Sequence, residues 1–176
     1  MIEVFRCRIC REPYIGEGPP TRCPFCGAKQ EHFILAKDWD WSHYTIEISE
    51  VSRANLRAAL KLELDNTAFY LCATNAAEKA GDDYGYAKFK ALRKVEGEHA
   101  EVIAKALEIE EPALEAIKCS SDFKGNTREG WEREGSAIKA YSRFAEEAAE
   151  PELKFFFSTL VEIERDHLDL HLKDLE

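Results

Sequence analysis

One arrangement of glutamate, tyrosine and histidine occurs twice between residues 63 and 167 of this chain of 176 residues. Each copy has a glutamate, a tyrosine seven residues later, and a Glu-x-x-His pair further along. The first glutamates of the two copies lie 71 residues apart, and the Glu-x-x-His pairs lie 68 residues apart. The copies are Glu63, Tyr70, Glu96 and His99, and Glu134, Tyr141, Glu164 and His167. The matched spacing argues against coincidence and predicts two similar halves of one fold.

The sequence around this repeat has a helical pattern from about residue 50 onward. Leu56 and Leu60 belong to an apolar stripe at the spacing of an α-helix. Ser49 or Ser52 is a suitable N-cap for this first helix, and Gly81 is a suitable end. We therefore expect a long first helix between these residues.

The second helix is expected over residues 84–107, with Asp82 or Asp83 as its N-cap. Residues 108–126 contain a proline, a glycine and an asparagine, and they form a long connection. Within that connection we expect a short helix at residues 112–118. The first two helices therefore make a hairpin that is followed by a crossover.

The second hairpin follows from two further signals. Asn126-x-x-Glu129 matches a capping box that would open the third helix. Pro151 fits the first turn of a fourth helix that runs to the C-terminus. Two hairpins joined by one long crossover are typical of the ferritin-like four-helix bundle. We therefore predict a mainly α fold, with this bundle over residues 50–176.

Six of the repeated side chains are candidate metal ligands, because they reach similar depths in the predicted bundle. Counted from the hairpin turns, the glutamates of each hairpin lie within about one helical turn of each other. Four carboxylates and two imidazoles cannot be buried together without cations, since burying isolated charges is very costly. Two divalent ions balance four carboxylates, and mixed oxygen and nitrogen ligands suit iron or manganese. The predicted ligands are Glu63, Glu96, His99, Glu134, Glu164 and His167.

Residues 1–36 have a different composition, with four of the six cysteines of the chain. Cys7-x-x-Cys10 and Cys23-x-x-Cys26 predict a tetrahedral site of four sulfurs, which holds zinc or a single iron. The spacing slightly favours zinc, because zinc ribbons are numerous. So short a segment needs a metal staple, since its apolar core is small. We expect aromatic side chains to surround the site, namely Phe5, Tyr14, Phe25 and Phe33.

Residues 37–49 are expected to be a linker between this module and the bundle. Fully extended, the linker spans at most roughly 45 Å, so the module can reach its own bundle or that of a neighbour.

The composition excludes several classes of function. A formal charge of −10 gives the chain no basic face for nucleic acid. The longest apolar run, at residues 155–157, is too short to span a membrane, and residues 1–6 lack the apolar core of a signal peptide. We therefore expect a cytoplasmic protein that binds neither nucleic acid nor membrane.

The remaining cysteines and histidines receive simpler interpretations. We expect Cys72 to be a small buried apolar side chain, and Cys119 has no assigned role. A surface position is favoured for His171, although its spacing of four residues from His167 is compatible with a place beside the ligands. His32 and His43 are expected to be structural or exposed.

These motifs resemble a known family. Residues 2–36, with both cysteine pairs and Phe33, resemble a short rubredoxin-like domain. Residues 50–176 resemble the ferritin-like domain of rubrerythrins, above all from Glu134 to Tyr141 and at Glu164-Arg-Asp-His167. The rubredoxin-like part leads here, as it does in the reverse rubrerythrins.

The resemblance implies a function that residue patterns alone do not give. Rubrerythrins reduce hydrogen peroxide to water at a pair of iron ions, and an Fe(Cys)₄ centre relays electrons from a reductase. The six candidate ligands are implied to bind the iron pair. Tyr70 and Tyr141 are implied to bond to ligand carboxylates, and the four cysteines to hold a single iron. The resemblance also implies a homodimer that exchanges its rubredoxin-like modules.

Two departures from the family pattern keep other functions open. Rubrerythrins usually have an extra metal-binding glutamate one turn after the first glutamate of the third helix, where this chain has Ser136, Ala137 and Ile138. This difference supports an alternative as a ferroxidase or iron-handling protein. The first cysteine pair is usually followed by glycine, where this chain has Arg11. This difference supports a second alternative, an interaction protein stapled by zinc.

Overall fold

The chain begins with a small antiparallel sheet and continues into four long helices. The computed structural model describes residues 1–44 and 46–176, and the side chains of His43 and Tyr44 lie outside the described part. The expectation for His43 therefore falls outside the described residues. The strands are β1 (Glu3–Cys7), β2 (Pro13–Gly16) and β3 (Phe33–Leu35), and the helices are α1 (Glu50–Ala80), α2 (Asp83–Leu107), α3 (Phe123–Glu147) and α4 (Pro151–Leu175).

The sheet has the order β2-β1-β3, and both pairings are antiparallel. Phe5, in the middle of the central strand, pairs with Tyr14 on one side and with Leu35 on the other. Phe5 and Phe33 are buried, whereas Phe25 is exposed, so only part of the expected aromatic shell covers the cysteines. A short 3₁₀ segment, Gln30–His32, precedes β3, and two more, Ala36–Asp38 and Trp41–Tyr44, lie between β3 and α1.

The ends of three helices confirm the predicted caps. Ser49 is the N-cap of α1, and its hydroxyl accepts a hydrogen bond from the backbone N–H of Ser52 at 3.3 Å. Gly81 ends α1, and the Asp82 carboxylate caps α2. Pro151 occupies the first turn of α4. Helix α1 packs along α2 and α3 packs along α4, so the two hairpins form a four-helix bundle with one long crossover.

The predicted start of α3 is wrong. The helix begins four residues earlier, because the carboxylate of Asp122 accepts a hydrogen bond from the backbone N–H of Gly125 at 2.8 Å. Asn126 lies inside the helix, and its amide bonds to both backbone groups of Ser120. The aspartate therefore takes the capping role, and the asparagine fixes the end of the crossover. The short helix expected at residues 112–118 is also absent from the described structure.

A disulfide joins the crossover to the bundle. Cys72 of α1 and Cys119 form this bond, with their Cα atoms 5.9 Å apart. The expected role of Cys72 as a small apolar core residue is therefore wrong. Ile117, Cys119 and Phe123 also pack against a buried cluster that includes Tyr70. The disulfide and these contacts hold a segment without regular structure against α1.

The N-terminal module packs on the bundle of its own chain. Arg22 pairs with Asp166 at 2.6 Å, and Lys29 pairs with Glu162 at 2.9 Å. The guanidinium of Arg8 lies 5.0 Å from the ring centroid of Phe155. The buried cysteines of the module belong to the same apolar cluster as the core of α4. Among the described residues, no helix combines the length and the apolar character needed to cross a membrane.

We expect Cys72→Ser to lower the free energy of unfolding by about 2–4 kcal/mol, because the disulfide closes a long loop in the unfolded chain. The measurement is a urea unfolding curve of the metal-loaded protein without reductant. Cys119→Ser is the matched control and should lose the same amount, while the double variant should lose no more. A Cys72→Ser protein as stable as the native chain contradicts the bond.

Candidate metal centres

The four helices bring the six predicted ligands into one buried layer. The side chains of Glu63, Glu96, Glu134 and Glu164 are fully buried, and the two histidines are nearly so. Each Glu-x-x-His pair lies on one face of its helix, because residues three apart are neighbours on a helix surface. The first glutamates of the repeat, on α1 and α3, face these pairs across the bundle. The structure therefore collects side chains that are distant in sequence.

Two overlapping groups of possible ligands form within this layer. In each group the nearest ligand atoms all lie within 4.8 Å of one another. One group is Glu63, Glu96, His99 and Glu164, and the other is Glu96, Glu134, Glu164 and His167. Glu96 and Glu164 belong to both groups, so these two carboxylates are placed to contact two metal ions at once.

The donor atoms of this layer fit a bound metal. Among the described residues, Glu63 Oε2, Glu96 Oε1, Glu134 Oε2, Glu164 Oε1 and His99 Nδ1 are buried without a hydrogen-bond partner. Leaving even one buried polar group unpaired costs about 1–3 kcal/mol, and more for a charged group. The five unpaired atoms lie in one layer of the bundle, and cations coordinated by these side chains would account for them. Oxygen and nitrogen donors in this number suit iron.

Burial raises the pKa of all four carboxyl groups. The pKa of Glu63 and that of Glu134 each rise to about 7. The pKa of Glu96 and that of Glu164 are also raised, first by burial and then by neighbouring carboxylates. Carboxyl groups in this environment hold their protons more strongly than exposed ones, and a bound cation would replace those protons.

The two histidines respond differently to the same surroundings. Burial lowers the pKa of His99, which keeps its imidazole neutral and able to donate a lone pair. Burial also acts to lower the pKa of His167, but the charges of Glu164 and Glu96 raise it well above its usual value. His167 Nδ1 lies 2.8 Å from Glu164 Oε2 and 3.1 Å from Glu96 Oε1. In the absence of metal, a proton on His167 balances part of the carboxylate charge.

The four cysteines form a second centre in the N-terminal module. All four side chains are buried. The Sγ atoms of Cys7 and Cys26 are 3.7 Å apart, and those of Cys10 and Cys23 are also 3.7 Å apart. Contacts of this length are close to the sulfur separations in a tetrahedral S₄ site, which holds zinc or iron. The backbone N–H of Ile9 points at Cys7 Sγ at 3.4 Å and stabilises negative charge on that sulfur.

The residues after the two cysteine pairs have the same backbone conformation. Gly27 has φ of +77°, and Arg11 has φ of +68°. The sequence difference at Arg11 therefore places a non-glycine residue in the left-handed region, which costs about 1–2 kcal/mol. At Gly27 a side chain would also meet Ile163 Cγ2 at 3.1 Å. Glycine at this position lets the second pair approach the bundle closely.

A hydrogen bond joins the two centres. His99 Nε2 lies 2.9 Å from the backbone carbonyl oxygen of Cys26 and donates its proton to it. The other ring nitrogen, Nδ1, lies 3.4 Å from Glu63 Oε1 and 3.5 Å from Glu164 Oε1. The carbonyl therefore fixes the tautomer that leaves Nδ1 free to bind a metal. Sequence reasoning did not find this contact, because no local pattern brings residues 26 and 99 together.

Each tyrosine of the repeat bonds to a glutamate of the other hairpin. Tyr141 donates to Glu63 Oε1 at 2.5 Å, and Tyr70 donates to Glu134 Oε1. The amide of Asn66 lies 3.4 Å from Glu96 Oε2. Asn66 is three residues after Glu63, and this helical spacing could have identified it from the sequence. These hydrogen bonds hold the carboxylates in place on both sides of the layer.

The surface position expected for His171 is wrong. His171 is fully buried, and its Nε2 lies 2.8 Å from the hydroxyl oxygen of Tyr70. Because Tyr70 donates its own proton to Glu134, His171 donates from Nε2. Burial lowers the pKa of His171 to about 3, so the ring is neutral. The spacing from His167 placed both rings on one face, but it gave no indication that Gly130 of α3 leaves room for the second ring.

Gly130→Ala should displace His171 and lower the free energy of unfolding by about 1–3 kcal/mol. A Cβ at this position would lie 2.6 Å from His171 Nε2, in a fully packed core. Gly135→Ala is the matched control on the same helix, because its Cβ would meet nothing closer than Leu168 Cδ1 at 3.9 Å. The control should gain up to about 1 kcal/mol from helix propensity. Urea unfolding measures both, and equal effects would contradict the packing described.

Metal binding in the bundle should release more protons at pH 6 than at pH 8. The pKa of Glu63 and that of Glu134 are about 7 in the metal-free chain, so below this pH a metal must displace their protons. Metal affinity therefore decreases as the pH falls through 7. Calorimetric titration with Fe(II), in buffers of different ionisation enthalpy and without oxygen, gives the number of protons released. Glu63→Gln is the control and should release fewer protons at pH 6, whereas release that does not vary with pH contradicts the prediction.

Comparisons with known proteins identify both parts of the chain. Residues 5–34 match the family described as "Rubrerythrin, rubredoxin-like domain", and residues 54–175 match the family described as "Rubrerythrin". The chain is 30% identical over 110 residues to "Reverse rubrerythrin-1" of Clostridium acetobutylicum, an alignment that covers 58% of this chain and 61% of that protein. With its rubredoxin-like domain ahead of a ferritin-like bundle, the chain belongs to the rubrerythrin family, in the reverse order of domains.

Proposed function

We propose that this protein reduces hydrogen peroxide to water, with electrons that pass from an Fe(Cys)₄ centre to a pair of iron ions in the bundle. The observation that carries the proposal is the hydrogen bond of 2.9 Å between His99 Nε2 and the carbonyl oxygen of Cys26. This hydrogen bond connects the cysteine site, which is suited to one-electron transfer, with the carboxylate site of the bundle, which is suited to two metals. A metal that only stabilised the fold of the N-terminal module would not need a contact with a ligand of the bundle centre.

The ligands of the two centres have different parts in the proposed reaction. The reaction consumes one peroxide, two electrons and two protons and gives two waters. When bound, iron in the bundle supplies the two electrons, and iron on the cysteines delivers single electrons to it. Glu63, Glu96, His99, Glu134, Glu164 and His167 would hold the iron pair, and Cys7, Cys10, Cys23 and Cys26 would hold the single iron. The carbonyl of Cys26 keeps His99 in the tautomer that binds.

The two tyrosines hold protons beside the reacting centre. Tyr70 and Tyr141 each direct a hydroxyl proton at a carboxylate, and burial holds the pKa of both phenols well above its usual value. Each phenol therefore keeps its proton and stabilises the ionised form of its glutamate. The Nε2–H group of His171 donates a hydrogen bond to the hydroxyl oxygen of Tyr70. This arrangement keeps Glu134 and Glu63 available for metal while the bundle excludes bulk water.

A cavity lies beside the metal layer and supports a small substrate such as peroxide. A space of about 480 Å³ opens between α1 and α3, and its lining includes Leu62, Asn66, Arg133 and Ser136. Asn66 is shared by the cavity and the metal layer, because its amide also contacts Glu96. We propose that peroxide approaches the ligands from this cavity, past the side chain of Asn66.

The proposed partners follow from the electron path. A reductase would deliver electrons to the cysteine centre, whose module lies at one side of the bundle. We also propose a homodimer, in which two chains could exchange modules and keep the same contact between Cys26 and His99. Each bundle would then receive electrons from the module of the partner chain.

Iron handling is the second candidate function, and Ala137 favours it. This residue is buried on α3, one turn after Glu134, where most rubrerythrins have a further glutamate. Without that carboxylate the bundle resembles the six-ligand sites of ferritin-like relatives. A ferroxidase would oxidise Fe(II) with oxygen and take up iron beyond three ions per chain.

Peroxide should oxidise the reduced, iron-loaded protein at least about tenfold faster than it oxidises Glu96→Ala or His99→Ala, because both changes remove a ligand of the iron pair. The measurement is anaerobic rapid mixing followed by absorbance of the bundle iron. A third variant, Glu78→Gln, changes an exposed glutamate on α1 and should behave as the native protein.

Three results would contradict the proposal. The first is equal peroxide rates in the native protein and in both ligand variants. The second is the outcome expected of a ferroxidase, which is slow reaction with peroxide together with iron uptake well beyond three ions per chain after treatment with Fe(II) and oxygen. The third is zinc in the cysteine site of protein purified with its native metals, which would exclude the electron path.

A further inference from the structure

Three possible ligands that the proposed reaction does not use meet where the module contacts the bundle. Glu31 and His32 belong to the 3₁₀ segment before β3, and Glu162 belongs to α4. One ligand atom from each of the three side chains lies within 4.8 Å of the other two. The module and the bundle therefore each contribute to a single cluster of one imidazole and two carboxylates.

His32 gives this cluster a feature that a group of surface acids lacks. Its side chain is 7% exposed, and its Nε2 has no hydrogen-bond partner among the described residues. The ring packs edge-on against Phe155, with centroids 5.4 Å apart, which fixes its position. Burial lowers the pKa of His32, so the ring is neutral and keeps a lone pair for a metal. The fixed imidazole is the anchor of the cluster.

The distances are short enough for one cation. Three atoms no more than 4.8 Å apart share a centre that is at most roughly 2.8 Å from each of them. Zinc bonds to nitrogen and carboxylate oxygen are about 2.0–2.2 Å long, so each ligand has to move by less than about 1 Å. Glu31 is exposed and Glu162 is partly exposed, and both side chains have the freedom for that movement.

The surrounding charges allow the exchange of a lysine for a metal. Lys29 Nζ lies 2.9 Å from Glu162 Oε2 and balances one of the two carboxylates. The side chain of Lys29 is 40% exposed, so it can move into solvent when a dication arrives. Arg8 and Arg22 are further cations nearby, and they are engaged over the ring of Phe155 and with Asp166, respectively. A divalent ion would then balance both carboxylates, with His32 as its neutral ligand.

We propose that Glu31, His32 and Glu162 bind a divalent transition-metal ion of the zinc type, which joins the module to α4. One histidine and two carboxylates leave a coordination position for water, as in sites with three protein ligands. The ion acts as a clamp across the same interface as the Cys26–His99 hydrogen bond. Its binding does not depend on the peroxide reaction.

The test is calorimetric titration of zinc into protein already loaded with iron at both other centres, without oxygen. The native chain should bind about one additional zinc ion, with iron content and iron absorbance unchanged. His32→Gln and Glu162→Gln should each weaken this binding at least about tenfold. Lys29→Ala should tighten it, because the competing ammonium group is removed. Glu78→Gln, an exposed glutamate far along α1, should leave it unchanged.

A second measurement separates the clamp from random surface binding. Zinc should raise the melting temperature of the native protein and of Glu78→Gln but not that of Glu162→Gln, whose substitution on a helix surface preserves the fold. The proposal is overturned when the native chain binds no additional zinc. It is also overturned when His32→Gln and Glu162→Gln bind zinc as tightly as the native protein does.

Discussion

The rest of this structure depends on four carboxyl groups that are buried at the centre of the bundle. Burial raises the pKa of Glu63 and that of Glu134 to about 7, so the apolar core disfavours their charged forms. Cations restore those charged forms, and each helix contributes part of the shell that surrounds them. The pattern occurs twice in the sequence because each of the four helices has to supply a ligand at the same depth of the bundle.

The hydrogen bonds that support the ligands are also repeated in the two halves of the bundle, but the halves differ in their contacts. Tyr70 and Tyr141 each bond to the opposite hairpin. Among the described residues, His171 bonds to Tyr70 while no histidine bonds to Tyr141, and His99 bonds to the module while His167 does not. The two metal positions are therefore unequal, because the bond to the module lies beside His99 and the Tyr70–His171 pair lies on the side of Glu134. In the proposed electron path, electrons would enter the bundle beside His99.

Local signals in the sequence predicted the helices, most of their ends and the assembly of the six side chains, because caps and i, i+3 spacing act within one helix. The features that were missed depend on contacts between distant segments. The Cys72–Cys119 bond requires the crossover to fold back on α1, and the burial of His171 requires the missing side chain of Gly130. The start of α3 was missed because the side chain of Asn126 bonds to the backbone of Ser120 in the crossover, which leaves the cap to Asp122.

The disulfide has a consequence for how the protein matures. Cys72 and Cys119 must lose their protons and electrons to an oxidant, whereas the sulfurs of Cys7 and Cys26, and of Cys10 and Cys23, lie 3.7 Å apart and must remain thiolates. An oxidant that reached both sets together would also cross-link the module. A metal bound to the four cysteines would hold them as thiolates and protect them from that oxidant. The same chain therefore needs its six sulfurs in two different oxidation states, and the metal of the module separates the two sets chemically.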